Sequence, residues 1–462
     1  MKKFLSAAAF LLVLLLLLCL IYPPLSWKET TGGYQNNFRQ LEATDEDLID
    51  LAFVGSSHIY CGVNPNVLWE ERGISAFDLA VSSMDKVTTK YFLGDLFKTQ
   101  SPRVVCLDLY ALTFDRQDVD SNEYINYAAP DPSLENLQAI LEYKPRDILS
   151  YLTRWPIIHG RYRELSAYDF LAYPPNRFGR GNYYTFHVEA TQRQTEAIET
   201  AEVTPLSDAN RAFLDAVLAL CRENNAQLIT TVLPFWITPA QQAILNGAKE
   251  YLADQGVECL DLNRDSALYG LDYETDFADI THLNYAGAQK ATRYLMEELC
   301  ARYDFADHRG DDAYALWEEN RQYDAYQVQR QALTECEAPT PETVLEAAGT
   351  LPGFTAIVTV PAGKTDALTP ALRTALTEAG VPAEELDAGG QWVLSAGQCL
   401  GAVAAGGEEL SLDLNAVHNL ALNRDGAQSV ELNGTACDVS PGHLSVVLYD
   451  NYEAEVLLCC ES

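Results

Sequence analysis

Two short segments carry the residue types that acyl chemistry requires. Gly55-Ser56-Ser57-His58 sets hydroxyls beside an imidazole, and Asp279-Ile280-Thr281-His282-Leu283-Asn284 places a carboxylate three residues before a second imidazole. Within one turn such an aspartate can accept the Nδ1 proton of its histidine and stabilise the imidazolium. Nε2 is then left to take the proton of a serine hydroxyl, which makes that oxygen a nucleophile. Each segment also has a plainer use, since a Gly-Ser-Ser turn suits a helix cap and an Asp-x-x-His run suits an ordinary loop. Their places at the two ends of one region favour the catalytic use.

The elements between them must bring the two segments together. Asp50–Val54 reads as a short apolar strand ending at the Gly55 turn, followed by a helix at Pro65–Arg72 and a second strand at Ser75–Val81. A helix at Met84–Lys98 leads to a third, almost continuously apolar strand at Arg103–Leu109. Later come a helix at Asp208–Asn224, a strand at Gln227–Leu233, a helix at Pro239–Gln255, a strand at Val257–Leu262 and a closing helix at Tyr285–Tyr303. Strands separated by helices of this length need parallel crossovers, so an α/β sheet covered on both faces is expected. In such sheets, sites form outside the carboxyl ends of the strands, where Gly55-Ser56-Ser57-His58 falls.

Over about 48–304 the chain resembles the SGNH (GDSL-type) hydrolases, and within them the DltD-like and alginate O-acetyltransferase-like extracytoplasmic branch. The resemblance rests on Phe53-Val54-Gly55-Ser56-Ser57-His58, on Phe77-Asp78-Leu79-Ala80-Val81-Ser82-Ser83, and on Asp279 through Gly287. It implies a flavodoxin-like, three-layer α/β domain with a parallel sheet. It also implies Ser57 as nucleophile, His282 as general base, Asp279 as its orienting acid and the Ser57 N–H as one oxyanion donor. Two departures stand out. The family's second block ends in Gly, where this chain has Ser83, and its third-block Asn is not recognisable after Cys106-Leu107-Asp108-Leu109-Tyr110. Loss of one oxyanion donor costs about 10²–10³ in rate. Tyr110 and His58 are candidate substitutes, and His58 also suits simple packing.

Between the third strand and the next helix lies an insertion at about 111–206, too long for an ordinary connection. It is rich in aromatics, among them Tyr143, Tyr151, Trp155, Tyr162, Tyr168, Phe170, Tyr173, Phe178, Tyr183, Tyr184 and Phe186. From Lys144 to Arg180 it holds seven basic residues (Lys144, Arg146, Arg154, Arg161, Arg163, Arg177 and Arg180) against three acidic ones. It reads either as a lid that stacks sugars and holds anionic polymer, or faces a membrane partner, or as helical packing with solvated charges. Gly179-Arg180-Gly181 lacks the flanking strand and helix of a dinucleotide loop.

Phe4–Tyr22 is an uncharged, Leu-rich run preceded by Lys2 and Lys3 and followed by Pro23-Pro24. Its length approaches a bilayer core, and the leading positive charge puts the N-terminus in the cytoplasm. Residues 1–26 are therefore expected to be an uncleaved anchor with the body extracytoplasmic, the alternative being secretion after signal cleavage. The 462 residues carry 31 Lys+Arg against 66 Asp+Glu, a net charge of −35, which argues against a dedicated nucleic-acid binder. The 11 cysteines are scattered without paired CxxC motifs, so no metal site is expected, and no cofactor is called for. Export permits one or two disulfides in the last third of the chain.

Residues 45–305 form the expected SGNH-like domain, 306–340 a charged helical connector, and 341–462 a smaller, β-rich, sandwich-like domain. The last holds only three basic residues, with strands expected at Gly353–Val360, Trp392–Leu394, Gly401–Val403, Glu409–Leu414, Ser429–Leu432 and Leu444–Tyr449. A helix is expected at Thr369–Ala379, with Pro370 in its first turn and Gly380 just past its end. This pattern resembles the interleukin-like EMT inducer domain over about 340–460, which implies a compact sandwich with a capacity for sugars.

The expected function is a serine O-acyltransferase or esterase acting on acyl, chiefly acetyl, esters of a cell-envelope polysaccharide. The resemblance implies a cell-envelope glycan or anionic polymer as substrate and a membrane-bound O-acyltransferase as donor partner. The alternative is a non-catalytic glycan-binding or assembly protein on the same scaffold.

Overall fold

The computed structural model describes residues 2–25, 37–114, 126–127, 133–163, 165, 179–348, 351–415, 418–424, 428–440 and 442–462. It divides into two compact units, Met1–Arg321 and Gln322–Ser462.

The first unit is built on five parallel strands: β1 (Leu51–Gly55), β2 (Ala76–Ala80), β3 (Val104–Asp108), β4 (Gln227–Val232) and β5 (Cys259–Asp261). Their order across the sheet is β2-β1-β3-β4-β5. Side chains alternate between faces, and the two faces enter separate cores. Ala52, Val54, Phe77, Leu79, Val105 and Leu107 join the helices Lys86–Thr99, Asp208–Glu223 and Pro239–Asp254 in one apolar cluster. Leu51, Phe53, Ala76, Ala80, Val104 and Cys106 join Ile59, Leu68 and the helix Tyr285–Cys300 in the other. Burial on both faces explains why these strands read as largely apolar rather than alternating. The chain passes from β1 out to β2 and back across β1 to β3, so a crevice opens at the carboxyl ends of β1 and β3.

Local signals set the helix boundaries. Asp85 accepts from the N–H groups of Val87 and Thr88 while the Thr88 hydroxyl accepts from the Asp85 N–H, closing a capping box on Lys86–Thr99. Thr238 and Gln241 do the same for Pro239–Asp254. One apolar helix, Lys2–Leu25, precedes the domain, and its Leu5–Leu25 stretch is long and apolar enough to cross a membrane, as an anchor or a signal sequence would be.

The second unit holds β6 (Phe354–Val360), β7 (Gly390–Ser395), β8 (Gln398–Ala404), β9 (Leu410–Asp413), β10 (Asn419–Leu422), β11 (Val430–Leu432), β12 (Thr435–Ala436), β13 (Ser445–Asp450) and β14 (Glu455–Glu461). They form two antiparallel sheets, β14-β13-β6-β7-β8 and β12-β11-β10-β9. Ile357, Val393, Val447 and Tyr449 face Leu420, Leu422 and Val430 of the smaller sheet. Phe354, Val358, Trp392 and Val446 instead pack with Leu345, Leu372, Leu376 and Leu386. The unit is thus a two-sheet stack with helices over the outer face of the larger sheet, one layer more than the expected sandwich. All eleven cysteines are free thiols, with Cys61, Cys106, Cys221 and Cys460 buried.

Candidate active site

Ser57 opens the helix Ser57–Gly62 directly after β1, with Ser56 as an extended N-cap. Gly55 is required by close approach. A Cβ there would stand 2.6 Å from Ile59 Cγ1 and 2.9 Å from Asp108 Cβ. The serine turn is therefore pressed against the end of β3.

His282 comes from the loop between β5 and the helix Tyr285–Cys300. Several bonds shape that loop. Asn284 caps the helix through Gly287 N–H, and its Nδ2 donates to the carbonyls of Thr275 and His187. Buried Asp276 accepts from Lys290 Nζ at 2.6 Å and from the Asp272 N–H at 2.7 Å. Phe277 and Leu283 pair as an isolated antiparallel bridge, and the Ala278 N–H donates to the His282 carbonyl. Residues 278–282 are thereby folded into a tight loop that presents its polar side chains.

The three sequence-expected residues meet here. Ser57 Oγ lies 2.8 Å from His282 Nε2, and His282 Nδ1 lies 2.8 Å from Asp279 Oδ2. Asp279 Oδ1 accepts from the N–H groups of Thr281 and His282 at 2.7 and 3.0 Å and from the Thr281 hydroxyl at 2.8 Å. Burial pushes the Asp279 carboxyl upward, but the His282 and Thr281 hydrogen bonds outweigh it and hold the group below its usual range. It is thus a carboxylate at neutral pH. A carboxylate fixed at Nδ1 selects the tautomer with its proton there, which leaves the Nε2 lone pair facing the Ser57 hydroxyl. The imidazole is 27 % exposed and the Asp279 side chain 46 %, so a solute can reach them.

His58 is buried beside the serine, its ring centroid 3.8 Å from that of Tyr110 and 4.9 Å from that of Phe235. It packs 5.7 Å, edge to face, from His282. Burial, and then the charge of His282, hold His58 well below its usual pKa, against a smaller upward pull from Asp279. It is a neutral ring at neutral pH. Its Nδ1 makes no hydrogen bond and stands 3.9 Å from Asp108 Oδ2. Burial pushes Asp108 up to about 7. The N–H groups of Tyr110, Leu233 and Leu109 draw it down in part, although none completes a hydrogen bond of good geometry to either oxygen. Tyr110 lies on the 3-10 turn Leu109–Leu112, its ring also against Phe114 and Phe235.

Ser83, three residues past the end of β2, adopts φ 50°. The left-handed backbone that a glycine would supply is retained by a serine, at a strain of about 1–2 kcal/mol. Buried Asn126 steadies this turn by donating to the Ser82 carbonyl at 2.9 Å.

The insertion sorts into several environments. Tyr143 stacks on buried Tyr127 at 4.5 Å, and both join Tyr151 in a small core of their own. Tyr184 and Phe186 pack against Tyr285, and Tyr183 packs against Tyr60. Arg180 is fully buried, its guanidinium 5.8 Å from the Phe77 ring and 5.2 Å from the Trp317 ring, so it is a packing residue rather than a polymer-facing charge. Tyr162 and Trp155 lie nearer the surface. Tyr168, Phe170, Tyr173, Arg177 and Phe178 lie outside the described residues.

Sequence reasoning missed Asp108, Thr281, Phe235 and Trp236. Asp108 was legible as a carboxylate ending an apolar strand run beside the serine turn. Phe235 and Trp236 follow Pro234 at the carboxyl end of β4, where α/β sheets place functional loops. Among the described residues no group of acidic, His and Cys side chains suits a metal ion. No protein-family model matches the chain, and no curated protein matches it.

Proposed function

We propose that the first unit is an SGNH-type serine acyl-transfer domain, held outside the cytoplasm by the helix Lys2–Leu25, which moves or removes acyl groups on a cell-envelope polysaccharide. The observation that carries this reading is the relay Ser57 Oγ to His282 Nε2 to Asp279, two contacts of 2.8 Å. The strand order β2-β1-β3-β4-β5 is that of flavodoxin-like sheets, and Ser57 stands at its switch point.

In the reaction, Ser57 Oγ attacks the ester carbonyl carbon while its proton passes to His282 Nε2. The resulting oxyanion faces the Ser57 N–H, free of any intrahelical partner in the first helical turn. Collapse breaks the bond to the leaving alkoxide, which takes the proton from His282 and departs as an alcohol. A glycan hydroxyl or water then gives its proton to His282 and attacks the acyl-serine, and Ser57 recovers its proton as the ester bond to it breaks. The DltD-like resemblance favours a glycan hydroxyl as acceptor and a membrane-bound O-acyltransferase as donor partner. The second unit is proposed to hold the polymer.

A fluorophosphonate probe tests the assignment. Labelling at Ser57, lost in Ser57→Ala and accompanied by turnover of an acetyl-ester reporter, supports it. Undiminished turnover in Ser57→Ala discards it. A second reading, a glycan-binding scaffold without chemistry, draws on the missing third-block Asn, where Asp108 and Tyr110 stand. Well-folded protein that the probe never labels supports that reading instead.

A further inference from the structure

The helix Lys2–Leu25 ends against the insertion. Arg161 Nη1 donates to the carbonyls of Leu25 at 3.2 Å and Pro24 at 3.4 Å. Tyr22 meets Trp155 edge to face at 5.8 Å. These contacts fix the short helices Ile148–Thr153 and Trp155–Ile158 and the 3-10 turn His159–Arg163 at the point where the apolar helix stops.

The surface of this segment does not suit bulk water. Ile148–Thr153 is two-faced: Tyr151 is buried in the small core with Ile148 packed beside it, while Leu149 and Leu152 are 72 % and 37 % exposed. Tyr162 is 59 % exposed, with the Arg163 guanidinium over its ring. Residues 144–163 carry five basic side chains and one acidic in a chain of net charge −35. Apolar side chains flanked by arginines and an amphipathic tyrosine are the composition of a segment seated in a headgroup layer.

We propose that Leu149, Leu152 and Tyr162, flanked by Arg146 and Arg163, seat in the headgroup layer of an anionic membrane around the emerging helix. This rests on the anchored reading of Lys2–Leu25 and is independent of the serine chemistry. Apolar side chains insert to the acyl boundary while guanidiniums meet lipid phosphates, each basic side chain raising partition about fivefold at an anionic surface. The insertion leaves the site at Tyr110 and returns at Tyr183 to the helix Ser57–Gly62, where its N–H donates to the Tyr60 carbonyl. A seated insertion would hold the site at a set height above the bilayer.

The full chain is reconstituted into vesicles of phosphatidylcholine, with or without about one-third phosphatidylglycerol, with plain or brominated acyl chains. Leu149→Trp adds a reporter at an exposed position away from the anchor helix. With phosphatidylglycerol, brominated lipid is expected to quench the added indole about twofold, and Arg146→Glu/Arg163→Glu to restore its emission. In the unaltered chain, amides of 148–163 are expected to exchange more slowly in anionic than in neutral vesicles. A chain that floats with vesicles but shows no added quenching and no slowed exchange overturns the seat and leaves the anchor standing. Equal effects in neutral lipid overturn the anionic assignment. A chain that fails to float overturns the anchor and the seat with it.

Discussion

The main-chain N–H of Trp236 donates to the carbonyl of Ile280 at 2.9 Å, bonding the loop after β4 to the loop that carries Asp279 and His282. The preceding residue, Phe235, is buried, with its ring against His58 and Tyr110. One short segment therefore supports the base from its backbone and the serine turn from its side chain.

Phe235→Ala is expected to lower stability by about 3 kcal/mol, because it opens a cavity among aromatic rings. It should also slow serine labelling, while Phe235→Leu retains most of both. Urea unfolding alongside labelling rates checks this, and equal effects from Ala and Leu would contradict it.

Asp279→Asn keeps the shape but presents an amide N–H₂ or carbonyl where a carboxylate fixed the tautomer. Labelling at Ser57 is expected to fall about 10³–10⁴-fold while the melting temperature drops only slightly, because the carboxylate is half exposed. The ratio of initial labelling rates is the measurement.

At Ser83 the backbone is already left-handed. Ser83→Gly should be tolerated or mildly stabilising, whereas Ser83→Val, β-branched at positive φ, should cost about 1–2 kcal/mol. Thermal unfolding of the pair decides it, and equal stability of the two variants would count against the strain.

Gly287 sits where a Cβ would fall 2.2 Å from the Asp276 carbonyl oxygen and 3.1 Å from Leu283 Cδ2. A main-chain atom cannot step aside as a flexible side chain can. Gly287→Ala is expected to cost about 1–3 kcal/mol and to loosen the 276–284 loop. Accelerated hydrogen exchange at 277–283 would report the second effect.

Asp108 has the opposite sign from most acidic side chains. Its folded pKa, about 7, lies above the 3.8 of an ordinary exposed aspartate, so the folded protein binds the proton more tightly than the unfolded chain. Between those values stability falls as pH rises, and above about 7 the full loss is present, up to about 4 kcal/mol. Asp108→Asn should remove this decline and melt higher than the parent at alkaline pH. A parent and variant with parallel pH–stability curves would refute the buried, protonated carboxyl.

The parallel sheet was legible because both of its faces are buried. Leu51–Gly55 and Val104–Leu107 are short unbroken apolar runs, and their length and flanking turn residues point to buried strands. Ser57, Asp279 and His282 were legible because the chemistry restricts residue type and the elements restrict position. The second unit was harder. Asn419–Leu422 and Glu455–Glu461 escaped notice because one is four residues long and the other mixes acidic and apolar residues with two cysteines. The helix Pro341–Ala348 was hidden by small residues that fit a loop equally well. In the insertion, aromatic content alone could not separate rings that pack on one another, such as Tyr127 and Tyr143, from those at the surface. Partners decide that, and partners are remote in sequence.

The hydroxyl and the imidazole of the relay are 225 residues apart along the chain. During synthesis Ser57 leaves the ribosome early, at the start of the sheet, while His282 follows only after β5 has been made. For most of that interval the serine has no base and reacts like any alcohol. Reactivity arrives with the loop that follows β5, so a chain truncated or stalled before it carries an inert nucleophile.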